Sequence, residues 1–228
     1  MTGFQGFSRD TFSFLAGLTM NNERAWFEAH RDDYEKSVLT PAMAFITEMD
    51  EVVRSISPHY RGVAKKLGGS LMRIYRDTRF GHDKTPYKTN IGIQFRHESA
   101  NDVHAPGWYV HLDLNECFVG AGAWHPEPVD LLKIRLSHAE HPEAWSKALA
   151  LATKSGLRSA GESLQKSPKG FDPAHPLAEE IRRKDFLLTA NLDPELFLGR
   201  ELIPELQKRF QTTAPYMAAL CGALGAAF

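Results

Sequence analysis

The residues best suited to chemistry lie in one basic segment, residues 73–90, which reads RIYRDTRFGHDKTPYKTN. Five lysines and arginines stand against two aspartates there, a local charge of +3 (five minus two) in a chain whose net charge is −1. Arginine can hold a carboxylate or phosphate by two parallel hydrogen bonds, and lysine supplies a point charge. The segment therefore predicts a site for a phosphate ester, a nucleotide, a carboxylate metabolite or a nucleic-acid backbone. The predicted ligand-binding residues are Arg73, Arg76, Arg79, Lys84 and Lys88.

Two other interpretations of this segment stay open. The 13 residues from Asp77 to Thr89 carry Phe80 and Tyr87 as their large apolar side chains, and these rings could stack on bases in a nucleic-acid or protein interaction module. Alternatively, the two aspartates pair with neighbouring cations and the motif is purely structural. The leading hypothesis is a small-molecule binding protein or enzyme, because the near-neutral net charge disfavours nucleic acid as the partner.

A second group of polar side chains lies on a predicted strand. His111 and Asp113 are two residues apart, so their side chains project from one face, which Tyr109 shares. An imidazole and a carboxylate could bind Zn²⁺ or Fe²⁺, or form a general acid–base pair. The spacing matches no specific metal motif, so the sequence favours a plain polar sheet face and assigns no metal ligand. The candidates for proton transfer or orientation are Tyr87, His111 and Asp113.

Helices are expected to flank the strands that carry these residues. Apolar residues alternate with polar ones in several short runs, which is typical of an antiparallel sheet covered on one side. Three- and four-residue spacing predicts helices on either side of these runs. The predicted strands are 70–76, 90–96, 108–114 and 117–124, the last two joined as a hairpin. The predicted helices are 8–18, one capped by Asn21 or Asn22, 41–56, 129–138, 142–154, 176–183, 201–212 and 215–224, with a loop at 156–175.

The order of these elements predicts an α+β protein with an antiparallel sheet of about four or more strands. We expect a single domain over residues 1–228: helical over 1–60, mainly strands over 70–124 and helical over 126–228. The chain is 43% hydrophobic and 24% charged, values typical of a folded protein with one sizeable core. A net charge of −1 excludes a bulk polycation that coats DNA.

Cysteine usage and hydropathy predict a cytoplasmic protein. Cys117 and Cys221 belong to no C-x-x-C pair, and both are expected to be buried thiols in a reducing compartment. The N-terminal residues lack the basic start and continuous apolar run of a signal peptide. No apolar stretch reaches the length of a membrane span. Enzymatic activity, cofactors and oligomeric state stay open.

The run from Arg73 to Asn90 also resembles the signature of an uncharacterised, mainly bacterial family called domain of unknown function 2461. The segment from Asn21 to Phe27 is similar to the same family, as are the His175-Pro176 turn, a following Arg-Lys pair and the helix led by Pro215. The chain departs from the pattern at Gly81-His82, where many relatives carry Ser-Lys, and this weakens the case for lysine-dependent chemistry there. The resemblance implies a soluble intracellular protein and supplies no activity.

Overall fold

An antiparallel sheet runs through the described part of the chain, which comprises residues 3–79, 83–99 and 104–228 of the computed structural model. Within those residues the sheet has six strands in the order β1-β2-β3-β4-β6-β5, and every neighbouring pair is antiparallel. This confirms the predicted α+β class. The strands are β1 (Tyr60–Arg61), β2 (Ile91–His97), β3 (Gly107–Leu112), β4 (Cys117–Ala123), β5 (Arg158–Ala160) and β6 (Phe186–Asn191).

Helices precede the sheet and also follow its central hairpin. A π-helical turn at Glu35–Leu39 joins α3 to α4, and a 3₁₀ turn at Pro194–Leu198 precedes the last helix. None of the helices in the described ranges combines the length and apolar character that a membrane crossing requires. The helices are α1 (Arg9–Met20), α2 (Arg24–Ala29), α3 (Arg31–Tyr34), α4 (Thr40–Ile56), α5 (Pro128–Glu140), α6 (Pro142–Lys154), α7 (Ala178–Ile181) and α8 (Leu202–Ala223).

One face of the sheet is apolar and packs on helices α4 and α8. Side chains at alternate positions of each strand point to this face, which is why the period of two in the sequence marks it. The indole of Trp108 on β3 stacks on Phe210 of α8, with ring centroids 5.2 Å apart. Phe95 on β2 meets Phe45 of α4 edge to face at 6.2 Å. The burial of these large rings anchors the sheet to both helices.

The opposite face of the sheet carries the polar residues. Gln94 on β2 lies directly opposite Tyr109 on β3, and Gly92 lies opposite His111. A side chain at Gly92 would meet the Tyr109 hydroxyl oxygen at 2.6 Å, so a glycine is required for Tyr109 to lie across β2. This face is the surface on which the candidate site is built.

The predicted strand at 70–76 was wrong. Its residues make isolated bridges only, Leu71 with Ile93 and Tyr75 with Tyr87. The segment runs beside β2 briefly, through the bond from the Met72 N–H to the Gly92 carbonyl, and then leaves the sheet to pair with the returning end of the basic segment. A β-ladder needs several consecutive hydrogen bonds to the same neighbouring strand. This segment bonds β2 near Met72 and residues 86–88 after it, so neither ladder continues.

The prediction that residues 126–228 are helical was also wrong, because β5 and β6 lie there. Phe186, Leu188 and Ala190 alternate inward along β6, which pairs with β4. The two predicted C-terminal helices form one continuous helix, α8. Burial of Tyr216 and its neighbours outweighs the hydrogen bond lost at Pro215. The predicted helix at 176–183 is confined to α7.

Candidate functional site

The basic segment 73–90 is tied into a narrow ribbon by its own backbone. The Arg76 N–H donates to the Pro86 carbonyl at 2.9 Å, and the Lys88 N–H donates to the Ile74 carbonyl at 2.7 Å. The two ends of the segment therefore lie side by side as the two arms of a loop. Phe80 and His82, which follow Arg79 in the sequence, lie outside the described residues.

Tyr87, a predicted proton-transfer residue, anchors this ribbon. Its side chain is 2% exposed, and its ring stacks on Phe27 of α2 with centroids 4.3 Å apart. The side-chain amide of Asn22 both accepts from the Tyr87 N–H and donates to the Tyr87 carbonyl, each at 3.0 Å. Burial raises the pKa of Tyr87 above its ordinary value. The structure therefore places this residue in an aromatic cluster and not beside His111.

Two of the predicted ligand cations are engaged inside the loop. Arg76 pairs with Asp83 and donates to the Thr85 hydroxyl at 2.6 Å. Lys84 donates to the Thr78 carbonyl at 2.7 Å. Hydrogen bonds from the Thr85 backbone and hydroxyl, with a further bond from Arg76, lower the pKa of Asp83 to about 2. These contacts link the two arms of the loop.

A third predicted cation, Arg79, is held by a carboxylate two residues away. Its guanidinium donates to both oxygens of Asp77, at 2.7 and 3.0 Å. The side-chain hydrogen bond from Arg79 and a second bond from its backbone hold the pKa of Asp77 far below the ordinary value. Both groups are exposed, so the pair neutralises charge at the surface more than it stabilises the fold.

The remaining predicted cations, Arg73 and Lys88, line a different feature. A groove of about 390 Å³ lies between residues 66–73, Lys88 and the polar face of β2, where Gln94 and Arg96 complete the wall. No carboxylate lines it within the described residues. In that same part of the chain, Arg73, Lys88 and Arg96 make no ion pair. We call this feature the basic groove.

Burial disfavours the positive charge of one of the cations that line the basic groove. Lys88 is half-buried, and that burial together with the nearby charge of Arg73 lowers the pKa of its ammonium group. Lys66, at the outer end of the groove, lies 3.4 Å from Glu35 in an exposed ion pair. Among the described residues, Lys88 and Arg96 therefore lack the carboxylate partner that Lys66 has, whereas the exposed Arg73 is near enough to Asp77 to help lower the pKa of that carboxyl.

A chain of hydrogen bonds crosses the polar face beside the basic groove. The Tyr109 hydroxyl lies 3.0 Å from His111 Nδ1, and His111 Nε2 lies 3.3 Å from Asp113 Oδ2. The Asn90 amide lies 3.5 Å from His111 Nδ1, which connects this chain to the end of the basic segment. Burial raises the pKa of Tyr109 to about 12. The sequence placed these three side chains on one face, and the structure brings them into contact.

The turn between β3 and β4 adds a carboxylate that the sequence candidates did not include. Asp113 faces Glu116 across a tight turn, and Asp113 Oδ1 accepts the N–H groups of Asn115 and Glu116 at 2.6 and 2.7 Å. Partial burial on its own would raise the pKa of Asp113, but these two bonds and the bond to His111 outweigh it and the pKa is lowered. One ligand atom from each of His111, Asp113 and Glu116 lies within 4.8 Å of the others.

Arg96 and Glu116 are thus the site residues that sequence reasoning missed. A signal for Arg96 existed, because it is two residues from Gln94 on the predicted strand and shares its face. To identify Glu116 as a site residue, the exact position of the turn would have been required. The predicted strand ended at Leu114, which placed Glu116 in the link between the strands. Arg96 could thus have been found from its strand face, whereas Glu116 depends on the turn that sets it opposite Asp113.

Comparison with known proteins agrees with the motif in the basic segment. The profile of the family described as a conserved hypothetical protein (DUF2461) matches residues 10–218 of the 228-residue chain. No curated protein matches the chain. The matched span runs from α1 into α8 and includes the basic groove, the hydrogen-bonded chain and both edges of the sheet. This chain therefore belongs to the DUF2461 family.

Proposed function

We propose that the protein binds a small anionic molecule, a phosphate ester or a carboxylate metabolite, in the basic groove. The observation that carries the proposal is the convergence of Arg73, Lys88 and Arg96 on one groove that no described carboxylate lines. Lys88 and Arg96 are partly withdrawn from water while Arg73 is exposed, and cations that are withdrawn from water are ordinarily paired. An anion in the groove supplies the partner that this chain does not.

The half-buried position of Lys88 supports this further. The positive charge of its ammonium group is disfavoured by burial and by the like charge of Arg73, which together lower the pKa of Lys88. A bound phosphate or carboxylate reverses both effects, because it attracts the two charges at once. We therefore expect ligand binding to raise the pKa of Lys88 and to strengthen as that amine is protonated.

A small molecule fits the basic groove better than a nucleic acid does. Its volume of about 390 Å³ lies within the range typical of small-ligand pockets. The stacking role considered for Tyr87 is not supported, because that ring is 2% exposed and already packs on Phe27. For the rest of segment 73–90 we propose the structural interpretation, in which Arg76 and Lys84 link the two arms of the loop and Arg79 pairs with Asp77.

Thermal unfolding with added anions tests this proposal. The full chain is titrated with inorganic phosphate, pyrophosphate, citrate and a short oligonucleotide. A ligand at 100 times its dissociation constant stabilises the folded state by about 2.7 kcal/mol, which raises the melting temperature of a chain this size by several degrees. We expect the shift with a small anion, and we expect Arg73→Gln or Lys88→Gln to reduce it by half or more.

Arg79→Gln is the matched control. It removes a cation from the same segment but not from the basic groove, so the shift with the anion should be retained. The proposal fails if no small anion stabilises the protein, or if Arg79→Gln weakens binding as much as Lys88→Gln does. A response to the oligonucleotide alone, steeply reduced by salt, would support the nucleic-acid interpretation instead.

A further inference from the structure

We propose that His111, Asp113 and Glu116 form a site for one divalent transition-metal ion, such as Zn²⁺ or Mn²⁺. The three side chains offer one imidazole nitrogen and two carboxylate oxygens, all within 4.8 Å of one another. Imidazole suits Zn²⁺ and Fe²⁺, and carboxylates suit Mn²⁺ and Zn²⁺, so this mixed set selects a first-row divalent ion over Ca²⁺. The inference does not depend on the proposed anion site.

The distance between two of the proposed ligand atoms matches the distance between neighbouring ligand atoms in a zinc site. His111 Nε2 and Asp113 Oδ2 are 3.3 Å apart. In a tetrahedral zinc site, with nitrogen and oxygen ligands about 2.0–2.1 Å from the ion, neighbouring ligand atoms are about 3.3–3.4 Å apart. An ion can therefore enter between these two atoms without a large movement of either side chain.

The imidazole is held by groups outside the three ligands. When a metal binds Nε2, the imidazole proton lies on Nδ1, which then donates to the Tyr109 hydroxyl 3.0 Å away and no longer accepts a bond from the Asn90 amide at 3.5 Å. The His111 ring also stacks on Phe118 of β4, with centroids 4.6 Å apart and planes 14° from parallel. Metal-bound histidines characteristically have such a partner on the second nitrogen, because it sets the tautomer and the ring orientation.

The two carboxylates at the turn between β3 and β4 also favour the binding of a cation. Asp113 and Glu116 face each other across the strand pair, and like charges at directly opposite positions are destabilising. Within the described ranges, no lysine or arginine forms an ion pair with either carboxylate. A divalent ion neutralises both carboxylates and replaces the weak contact with His111.

The site lies on the same sheet face as the basic groove. Asn90, whose amide approaches His111, is two residues from Lys88, and Tyr109 is the cross-strand partner of Gln94. Three protein ligands leave at least one coordination position for water or for an oxygen of an anion. The two sites thus share one sheet face, and each is tested separately.

Equilibrium dialysis of the chelator-treated full chain against ZnCl₂ and MnCl₂ tests the metal site. We expect one ion per chain for at least one metal. His111→Gln and Glu116→Gln should each weaken binding tenfold or more, and Tyr109→Phe should weaken it about tenfold through the second nitrogen. Glu116 is exposed, so its variant reports on metal binding without disturbing the core.

His59→Gln is the matched control, because His59 and Glu98 form an exposed pair at 2.8 Å and the described residues supply no third His, Cys, Asp or Glu to complete a metal site there. This variant should keep full metal affinity. The inference is overturned if neither metal binds, or if binding survives unchanged in both His111→Gln and Glu116→Gln. Lys88→Gln should retain the metal, and phosphate should still stabilise the metal-free protein, so the failure of one site leaves the other measurable.

Discussion

Asn22 joins the N-terminal helices to the basic segment through a single side chain. Both atoms of its amide bond the backbone of Tyr87, at 3.0 Å each. Asn22→Ala leaves a partly buried N–H without its partner, so we expect a loss of about 1–3 kcal/mol in the free energy of unfolding. Urea unfolding of the variant and the parent protein measures this loss.

Asn21 supplies the control for that substitution, since within the described residues its exposed amide bonds only the Gly17 carbonyl at the end of α1. We expect Asn21→Ala to change stability by less than about 0.5 kcal/mol. Equal losses in the two variants would mean that the contact with Tyr87 contributes nothing specific.

Single residues of the site were predictable from sequence only where local charge revealed them. Arg73 and Lys88 stood out because five cations fall in a short segment, but the same count also pointed to Arg76 and Arg79, which have carboxylate partners in the loop. A sequence shows which charges are close along the chain and not which ones are neutralised. The binding and proton-transfer roles proposed for these residues stay predictions.

At the scale of elements, α8 contains a proline that ought to interrupt it. Pro215 cannot donate to the carbonyl of residue 211 and is exposed, so it contributes little packing in return. We expect Pro215→Ala to raise the free energy of unfolding by roughly 1–3 kcal/mol. Chemical denaturation followed by circular dichroism measures the gain.

Pro204 provides the comparison within the same helix. It lies in the first turn of α8, where the backbone N–H has no helical acceptor in any case. Pro204→Ala should therefore change stability little, and a gain equal to that of Pro215→Ala would contradict the explanation.

The elements of the central sheet were predictable to within a few residues because β2 and β3 alternate between an apolar and a polar face and β4 follows β3 after a short turn. Segment 70–76 has a similar composition, yet its hydrogen bonds go to two different partners. β6 was missed because its six residues follow a long irregular segment, and its pairing with β4 is a long-range contact. Periodicity identifies a face to be buried and does not specify the partner.

At the scale of the whole molecule, a buried histidine links stability to pH. His138 on α5 is 0% exposed, stacks on Trp145 at 3.8 Å, and its Nε2 makes no hydrogen bond within the described residues. Burial lowers its pKa to about 4 from the ordinary 6.5. The neutral form is therefore favoured by folding, so this stabilisation is complete above about pH 6.5 and is lost as the pH falls towards 4.

Between about pH 7 and pH 5, this one group should cost the folded state about 2 kcal/mol. We expect His138→Leu to remove that part of the acid sensitivity, as measured by urea unfolding at both pH values. His141→Leu, at an exposed position in the same helical hairpin, should retain it. An unchanged pH dependence in His138→Leu would show that other groups govern acid unfolding.

The strand order also determines when each strand can pair during synthesis of the chain. The chain is made from its N-terminus, and β4 pairs with β3 as soon as their short turn is complete. Its other edge waits for β6, which follows only after residues 124–185 have been added. During that interval the nascent protein presents an unpaired strand edge beside uncovered Val119 and Ala121, because α8 has not yet been made. A ribosome that stalls after β4 has left its exit tunnel and before β6 is complete thus leaves a fragment suited to chaperone capture or to aggregation.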